Sequence, residues 1–383
     1  MNKEFADHNI ILISLDGMRQ DKISLSPNIK KLIEESIYFP KMFTVAPYTL
    51  AAHHAIISGM YPSQNGVDAY YHMFRFKKEQ IKTISELLQE NGYFTCCDIA
   101  SESLMPNQGF DEKNIYDEKT VNFQSRHKEL ILKLSKRQKF FLFLQYSDPH
   151  KHLVEEVMKK YDQKSNDDDY YSKIEENEKR YNSFMPECDR YVESILKTLK
   201  SLSLDKKTIV IFTSDHGTSI GEKKGERFYG VYVYDYTINV FSIIHIPDIK
   251  PETINFQCRN IDLFPTVAEF AGISLEELSY KISGKSLWSF IEKRETSDRE
   301  VFVETGGLYG FWPSPKKHNV FCIRKNDKKL IFNDTPNTFE FYNIKTDTKE
   351  QKNIFDEESS DVKDFKKTLV EFLNNNNIST KLT

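Results

Sequence analysis

NIILISLDG, residues 9–17, is an unbroken apolar run that ends in an acid and a glycine. A run of this length and apolarity is typical of a strand buried on both faces, as in a parallel sheet. Two later runs have the same form, FFLFLQYSD at 140–148 and TIVIFTSD at 208–215. Because ligand sites in open α/β sheets lie outside the carboxyl ends of the strands, we expect the three terminal acids to converge at one edge.

Helical patterns alternate with these strands. We predict helices at 27–35, 49–58 and 81–90, where a proline begins the first and a glycine follows the second. The alternation predicts an α/β fold with a mostly parallel central sheet and helices on both faces.

The character of the chain changes at about residue 299. Short strands separated by Gly, Pro and Asn-Asp turns are predicted there, followed by one helix at roughly 361–373. The predicted strands are 301–304, 320–324, 329–332 and 339–342. We therefore expect a main α/β domain with the functional site at 1–298, and a small C-terminal subdomain at 299–383 with an antiparallel sheet and one helix.

The composition and net charge of the chain argue against some classes of function. Of 383 residues, 39% are hydrophobic and 29% charged, and the formal net charge of −4 argues against a nucleic-acid partner. No apolar run approaches the ~20 residues that span a bilayer, and residues 1–9 lack the features of a signal peptide. Five cysteines without framework spacing suit a reducing compartment. We expect a cytoplasmic protein without a membrane span, and the sequence does not indicate its oligomeric state.

Histidines accompany two of the three strand-end acids. Asp215 is followed directly by His216, and His150 and His152 come shortly after the acid of the second run. Carboxylates mixed with imidazoles suit Zn, Mn or a similar divalent ion. For Asp16 alone a helix-capping role is an equal alternative, but three acidic strand ends together favour a metal site.

Thr49 begins the second predicted helix and has two interpretations. Threonine is a good N-cap residue, so its role could be structural. Alternatively, a hydroxyl beside the free N–H groups of a helix N-terminus lies where an anionic group binds, and a nearby metal can turn it into a nucleophile. Spacing alone does not separate the two.

The order of these motifs resembles the alkaline phosphatase superfamily, in particular sulfatases and nucleotide pyrophosphatase/phosphodiesterases. Four segments carry the resemblance: the first metal-ligand strand (10–17), the nucleophile helix with its Gly-x-Tyr-Pro ending (49–62), the sulfatase Asp-Pro-His segment (143–150) and the second metal-ligand segment (213–222). Further similarity at 262–272 and in the C-terminal region extends it over nearly the whole chain.

The resemblance implies a metal-dependent enzyme with one ion, Zn or Mn, with Ca as an alternative. The ligands it implies are Asp16, Asp215, His216 and the oxygen of Thr49. A second ion is the alternative arrangement, held by Asp148, His152 and His318. The resemblance further implies catalytic roles for Thr49 and His150, and substrate binding by His53, His150 and His152.

Departures from the family pattern bear on the chemistry. Sulfatases use a Cys or Ser that is converted to formylglycine and followed by Pro and Arg; Thr49 cannot form that aldehyde, and His53 stands where the Arg would be. Threonine is instead the nucleophile of the phosphodiesterase and phosphotransferase branches, although their phosphate-binding Asn is replaced here by Ala52.

These departures leave three hypotheses. The first is a hydrolase or transferase that acts on a phosphate mono- or diester, or a phosphonate ester, through a phospho-threonine intermediate. The second is a sulfate-ester hydrolase without formylglycine, and the third is an inactive binding protein on the same scaffold. The first two predict a small anionic ester as the substrate.

Overall fold

The computed structural model describes residues 5–149, 167–306 and 319–383. Within these ranges the chain forms a nine-stranded sheet and a separate four-stranded sheet. The strands of the larger sheet are β1 (Asn9–Leu15), β2 (Ile37–Phe43), β3 (Phe94–Ile99), β4 (Glu112–Ile115), β5 (Phe140–Tyr146), β6 (Thr208–Thr213), β7 (Asn239–His245), β8 (Glu252–Thr253) and β9 (Cys258–Arg259).

The larger sheet is mostly parallel, which confirms the predicted fold class. Its order is β4-β3-β5-β1-β6-β7-β2-β8, and β9 also pairs with β2. Among the described strands of this sheet, β7 is the one that runs antiparallel to its neighbours.

Strand β1 lies near the centre of this sheet and is paired in parallel with β5 on one side and β6 on the other. All seven of its residues are buried. Ile10 and Leu12 pack into one hydrophobic cluster, whereas Ile11, Ile13 and Leu15 pack into another. Because side chains alternate between the faces of a strand, the unbroken apolar run reflects two covered faces.

Helices cover both faces of the larger sheet and supply both clusters. Helix α2 (Thr49–Ser58) has the predicted bounds and ends at Gly59, whose φ of +67° suits glycine. Helix α4 (Ile84–Glu90) begins later than predicted because Thr83 caps it, with its hydroxyl accepting from the N–H of Glu86 at 3.1 Å. Among the described residues, none of the helices combines the length and apolarity needed to cross a bilayer. The helices before the smaller sheet are α1 (Pro27–Glu34), α2 (Thr49–Ser58), α3 (Pro62–Asn65), α4 (Ile84–Glu90), α5 (Phe123–Leu134), α6 (Asp167–Ser172), α7 (Ile174–Asn182), α8 (Met185–Ser201), α9 (Asp235–Ile238), α10 (Leu263–Phe270) and α11 (Trp288–Ile291).

The C-terminal region forms the predicted antiparallel sheet and helix. Its elements are β10 (Val301–Thr305), β11 (Val320–Lys325), β12 (Lys328–Asn333), β13 (Thr338–Asn343) and α12 (Ser360–Asn375). One face of the sheet packs against α12, and the other shares a hydrophobic cluster with Phe43 and Tyr234 of the preceding region. The division of the chain at 298/299 stays a prediction.

Strand β2 is not among the predicted strands. It contains Pro40, which lies where the register against β7 shifts between Phe39 and Met42. Proline cannot donate a ladder hydrogen bond and is tolerated in strands at such irregularities. The local sequence pattern therefore does not predict this strand, which forms by pairing with its neighbours in the sheet.

A buried lysine joins the smaller sheet to the rest of the chain. Lys329 of β12 is fully buried, and its Nζ lies 2.9 Å from Asp235 Oδ1 and 2.8 Å from Glu350 Oε1. Burial lowers the pKa of Lys329, but the two carboxylates outweigh it and the net shift is upward. The lysine is therefore charged, and its removal would take this cation from buried Glu350 and leave Asp235 with Arg324, 3.4 Å away.

We predict that Lys329→Met lowers the free energy of unfolding by about 3–5 kcal/mol, because breaking a buried ion pair strands its partners. The matched control is Lys328→Met, since Lys328 is the adjacent residue but is 38% exposed and pairs with Asp361. An exposed pair of that kind contributes about 0–1 kcal/mol. Urea unfolding of both variants measures the difference, and equal losses would contradict the structural role of Lys329.

Candidate functional site

The sequence predicts that three strand-end acids converge, and two of them, Asp16 and Asp215, come together with His216. Ligand atoms of Asp16, Asp215 and His216 all lie within 4.8 Å of one another, and the three side chains are buried. The hydroxyl of Thr49 lies 3.4 Å from Asp16 Oδ1 and 3.0 Å from His216 Nε2. The four predicted ligands of one ion are therefore at one place.

The sheet positions Asp16. Its backbone N–H donates to the carbonyl of Tyr146 at 3.0 Å, which continues the pairing of β1 with β5 by one residue. Gly17 then turns the chain with φ +70°, and a Cβ there would lie 3.0 Å from Thr218 Oγ1. The amide of Gln145 donates to Asp16 Oδ2 at 2.6 Å, which orients the carboxylate.

Asp215 supplies the clearest sign that a cation fits this site. Its Oδ1 accepts the backbone N–H groups of Gly17 at 3.2 Å and His216 at 2.9 Å. Burial would raise the pKa of Asp215, but His216, His53 and these two donors outweigh it, so the net shift is downward and the carboxylate is ionised. Its Oδ2 is buried without a hydrogen-bond donor. A buried, ionised oxygen of this kind needs a positive partner, which a divalent ion beside the other ligands would supply.

His216 is oriented as a ligand. Its Nδ1 lies 2.8 Å from the carbonyl of Gly217, so this nitrogen carries the proton and Nε2 faces the carboxylates. The ring of Tyr229 lies against the imidazole at a centroid distance of 4.4 Å. Both contacts restrict rotation of the histidine.

The N-cap interpretation of Thr49 is wrong. Tyr48 is the N-cap of α2, and Thr49 is the first helical residue, with its hydroxyl directed at Asp16 and His216. The first N–H groups of a helix have no partner inside the helix, so Thr49 stands beside donors suited to an anion. The nucleophile interpretation is the one that this geometry supports.

His53 follows Thr49 by one helical turn and is fully buried. Its Nε2 lies 3.0 Å from Ser14 Oγ and 3.6 Å from Asp215 Oδ2. Burial, partly opposed by Asp215, lowers the pKa of His53 to about 4, so the ring is neutral at neutral pH. The structure thus places His53 beside a metal ligand, and its role in substrate binding stays a prediction.

The second-ion arrangement is only partly within the described residues. Asp148 is half-buried just after β5, and it is not a member of the metal-ligand group found among the described residues. His150, His152 and His318 lie outside the described residues. Their catalytic, substrate-binding and metal roles stay predictions.

Gln145 and Ser14 are site residues that sequence reasoning missed. Each is a polar residue inside a strand whose other residues are almost all apolar and whose positions are all buried. A buried polar side chain requires a hydrogen-bond partner, so such positions mark a nearby polar site. That pattern was a usable signal in the sequence.

The chain matches two models of known protein families. Residues 8–273 match the model described as Sulfatase, which is more than half of the chain. The chain belongs to the sulfatase family. Residues 225–378 also match the model described as N-sulphoglucosamine sulphohydrolase, C-terminal. The predicted resemblance to the alkaline phosphatase superfamily, of which sulfatases are members, is confirmed.

Individual relatives of this sulfatase-family chain are distant. N-acetylglucosamine-6-O-sulfatase of Bacteroides thetaiotaomicron is 30% identical over 174 residues, which cover 44% of this chain and 30% of that protein. The match thus spans less than a third of that relative. A solved 2-O GAG sulfatase is 18% identical with a TM-score of 0.80, and the alignment covers 97% of this chain and 93% of that one. A protein solved with its substrate, D-glucosamine-2-N,6-O-disulfate, is 17% identical with a TM-score of 0.74, covering 97% and 98%. These structures confirm the fold.

We predict that Asp215→Ala abolishes binding of a divalent ion, because it removes an ionised ligand from a small donor set. Metal content is measured by elemental analysis after reconstitution with each of Zn²⁺, Mn²⁺ and Ca²⁺. Asp148→Ala is the comparison variant: a one-ion protein keeps its full metal content, whereas a two-ion protein loses one equivalent. Full occupancy in Asp215→Ala would contradict the ligand assignment.

Glu226 organises the loop that carries Tyr229. Its Oε1 accepts the N–H groups of Val231 at 3.0 Å and Tyr232 at 2.8 Å, and its Oε2 accepts the hydroxyl of Tyr236 at 2.8 Å. Burial raises the pKa of Glu226 to about 7, although these hydrogen bonds oppose the shift. The folded protein therefore binds this proton more tightly than the unfolded chain does.

We predict a pH-dependent difference between the wild type and Glu226→Gln. The stabilisation from the raised pKa is complete below about pH 4.3, the unfolded value, and is lost as pH rises through about 7. The wild type should therefore lose on the order of 2 kcal/mol relative to Glu226→Gln between pH 5 and pH 8. Urea unfolding at several pH values tests this, with the exposed Glu175→Gln as control. A pH-independent difference would contradict it.

Proposed function

We propose that this protein is a metal-dependent sulfate-ester hydrolase with Thr49 as the nucleophile. The observation that carries the proposal is the position of Thr49 Oγ1, 3.0 Å from His216 Nε2 and 3.4 Å from Asp16 Oδ1 at a helix N-terminus. Membership in the sulfatase family and the sulfatase names of the relatives support a sulfate ester over the phosphoester that the first sequence hypothesis placed foremost.

The substrate class we propose is a sulfated sugar. One structural neighbour was solved with a disulfated glucosamine, and one relative is an N-acetylglucosamine-6-O-sulfatase. A sulfated sugar is a small anionic ester, which is the kind of substrate that the sequence predicts. The cytoplasmic location stays a prediction.

The proposed reaction uses the chain's own groups in two steps. The hydroxyl of Thr49 loses its proton and attacks sulfur in line, the bond from sulfur to the sugar oxygen breaks, and the sugar leaves as an alcohol after taking up a proton. N–H groups in the first turn of α2 donate to the sulfuryl oxygens as charge develops. Water then attacks the sulfur of the threonine sulfate, which releases sulfate and regenerates the hydroxyl.

Asp16, Asp215, His216 and the hydroxyl of Thr49 would hold the divalent ion. When bound, the ion supplies positive charge that acidifies a hydroxyl and stabilises negative charge on the transferred group. Sulfatases typically hold Ca²⁺, which prefers oxygen donors, whereas the imidazole of His216 suits the Zn²⁺ or Mn²⁺ expected from the sequence. The donor set therefore leaves three candidate ions for the reconstitution experiment.

A second candidate function has one specific observation in its favour. Thr49 offers a plain hydroxyl, and a formylglycine with two hydroxyls on one carbon cannot be made from it. Threonine resembles the nucleophile of the phosphodiesterase branch, so a phosphate or phosphonate ester processed through phospho-threonine is the alternative. The same attack geometry would serve at phosphorus.

We predict that Thr49→Ala lowers kcat by at least about 10³-fold while metal binding and fold persist, because the attacking oxygen is lost. Thr49→Ser keeps the hydroxyl and should keep part of the activity. Ser58→Ala, at the other end of the same helix, is the control for effects on α2. Activity is measured with matched aryl sulfate, phosphate, phosphodiester and phosphonate esters and with sulfated glucosamines, using metal-reconstituted enzyme.

The outcomes of this panel separate the hypotheses. Faster turnover of sulfate esters, with a sulfated peptide containing Thr49 after rapid quenching, supports the proposal. Faster turnover of phosphorus esters, with a phosphorylated Thr49, replaces it with the second candidate. Wild-type turnover in Thr49→Ala overturns the nucleophile, and no turnover of any ester favours a binding protein.

A further inference from the structure

Pairing between the neighbouring strands β1 and β6 ends before the metal ligands. The last paired residues of β1 and β6 are Ser14 and Thr213, so Asp16 and Asp215 lie on two loops beyond the sheet. Gly17 N–H donates directly across the gap to Asp215 Oδ1 at 3.2 Å. Because the separation of these loops sets the distances between ligands, contacts that bridge the loops act on the metal site.

Arg19 is such a bridge. It belongs to the loop after β1, and its side chain is 8% exposed. Its Nη1 donates to two groups of the loop after β6: the carbonyl of Thr218 at 3.0 Å and Glu222 Oε1 at 2.5 Å. Its Nε and Nη2 donate to the two carboxylate oxygens of Asp21, on its own loop, at 2.9 and 3.0 Å. One guanidinium therefore spans both loops.

Glu222 completes the bridge from the other side. Its Oε2 accepts the backbone N–H of Ile220 at 2.7 Å and lies 3.2 Å from the donating hydroxyl of Ser219. One carboxylate thus binds other residues of its own loop and, through its second oxygen, binds Arg19. Loss of Glu222 would release both constraints.

Hydrogen bonds hold this loop in addition to the packing of Ile220 into a core cluster. The hydroxyls of Thr218 and Tyr181 both donate to the carbonyl of Gly17, at 2.8 and 2.9 Å. A cavity of about 30 Å³ lies beside them, lined in part by Tyr181, Ser219 and Ile220. The hydrogen bond from Thr218 also joins the two loops, so Arg19 and Glu222 act together with it.

We propose that Arg19 and Glu222 are positioning residues that hold Asp16 at a fixed separation from Asp215 and His216, so that the metal site is formed before the ion binds. The bridge links the loop of one ligand to the loop of the other two, and it acts through those loops. This inference rests on the proposed metal site.

The test compares metal affinity in variants of the full chain stripped of metal. Mn²⁺, Zn²⁺ and Ca²⁺ are each titrated by calorimetry into the wild type, Glu222→Ala, Glu222→Gln and Asp21→Ala. The matched control is Asp21→Ala, because Asp21 pairs with the same guanidinium without linking the loops. Melting temperatures of the metal-free proteins show whether each variant is folded.

We expect Glu222→Ala to raise the metal Kd about 10–100-fold, the effect typical of groups that orient ligands. Glu222→Gln should recover part of the affinity because its one amide oxygen can still accept from either Arg19 or Ile220, which donate to separate oxygens of Glu222. Asp21→Ala should change the metal Kd less than about 3-fold, because Asp21 does not link the two loops that carry the ligands.

Two results would overturn the proposal. If folded Glu222→Ala and Glu222→Gln bind metal as tightly as the wild type, the bridge is only structural, although the metal site stands. If Asp21→Ala weakens binding as much as Glu222→Ala, loss of either carboxylate beside Arg19 has the same effect, and the link between the loops is not the cause. A wild type that binds none of the three ions would remove the metal site itself.

Discussion

Buried negative charge at the carboxyl edge of the sheet is the constraint on which the site depends. Asp16 and Asp215 are removed from water at the ends of neighbouring strands, and one oxygen of Asp215 lacks a hydrogen-bond donor. Burying ionised carboxylates without compensation is costly, so the surrounding residues supply donors: the backbone N–H groups of Gly17 and His216 and the amide of Gln145. The two carboxylates still need a positive charge beside them, which a divalent ion would supply.

The architecture makes this concentration of charge tolerable. Strand β1 is paired on both sides and covered on both faces. Asp16 therefore follows a strand that the sheet holds rigidly. Rigid strands deliver ligands from distant parts of the sequence with little conformational freedom to lose on binding. The first turn of α2 completes the site with Thr49, whose hydroxyl lies 3.0 Å from His216 Nε2.

The proposed Thr49 nucleophile would work by a different chemistry from that of formylglycine enzymes. A sulfated or phosphorylated threonine has no second hydroxyl on the same carbon to expel the group, so an external acceptor must attack. Water as acceptor gives hydrolysis, and an alcohol gives transfer, from the same intermediate. His53 at the position of the usual arginine, buried and with a lowered pKa, also removes a fixed positive charge from the helix.

Local patterns in the amino-acid sequence were enough to predict several strands, one helix end and a metal site. Unbroken apolar runs placed β1, β5 and β6, glycine ended α2, and acids at strand ends indicated a metal site, because parallel strands deliver their ends to one edge. Tertiary structure alone decided which acids meet, that Thr49 faces them rather than capping its helix, and that Arg19 joins Glu222 across two loops. Strand β2 was likewise recognisable only through its neighbours. These outcomes depend on the register of segments about 200 residues apart, which leaves no periodic pattern in the chain.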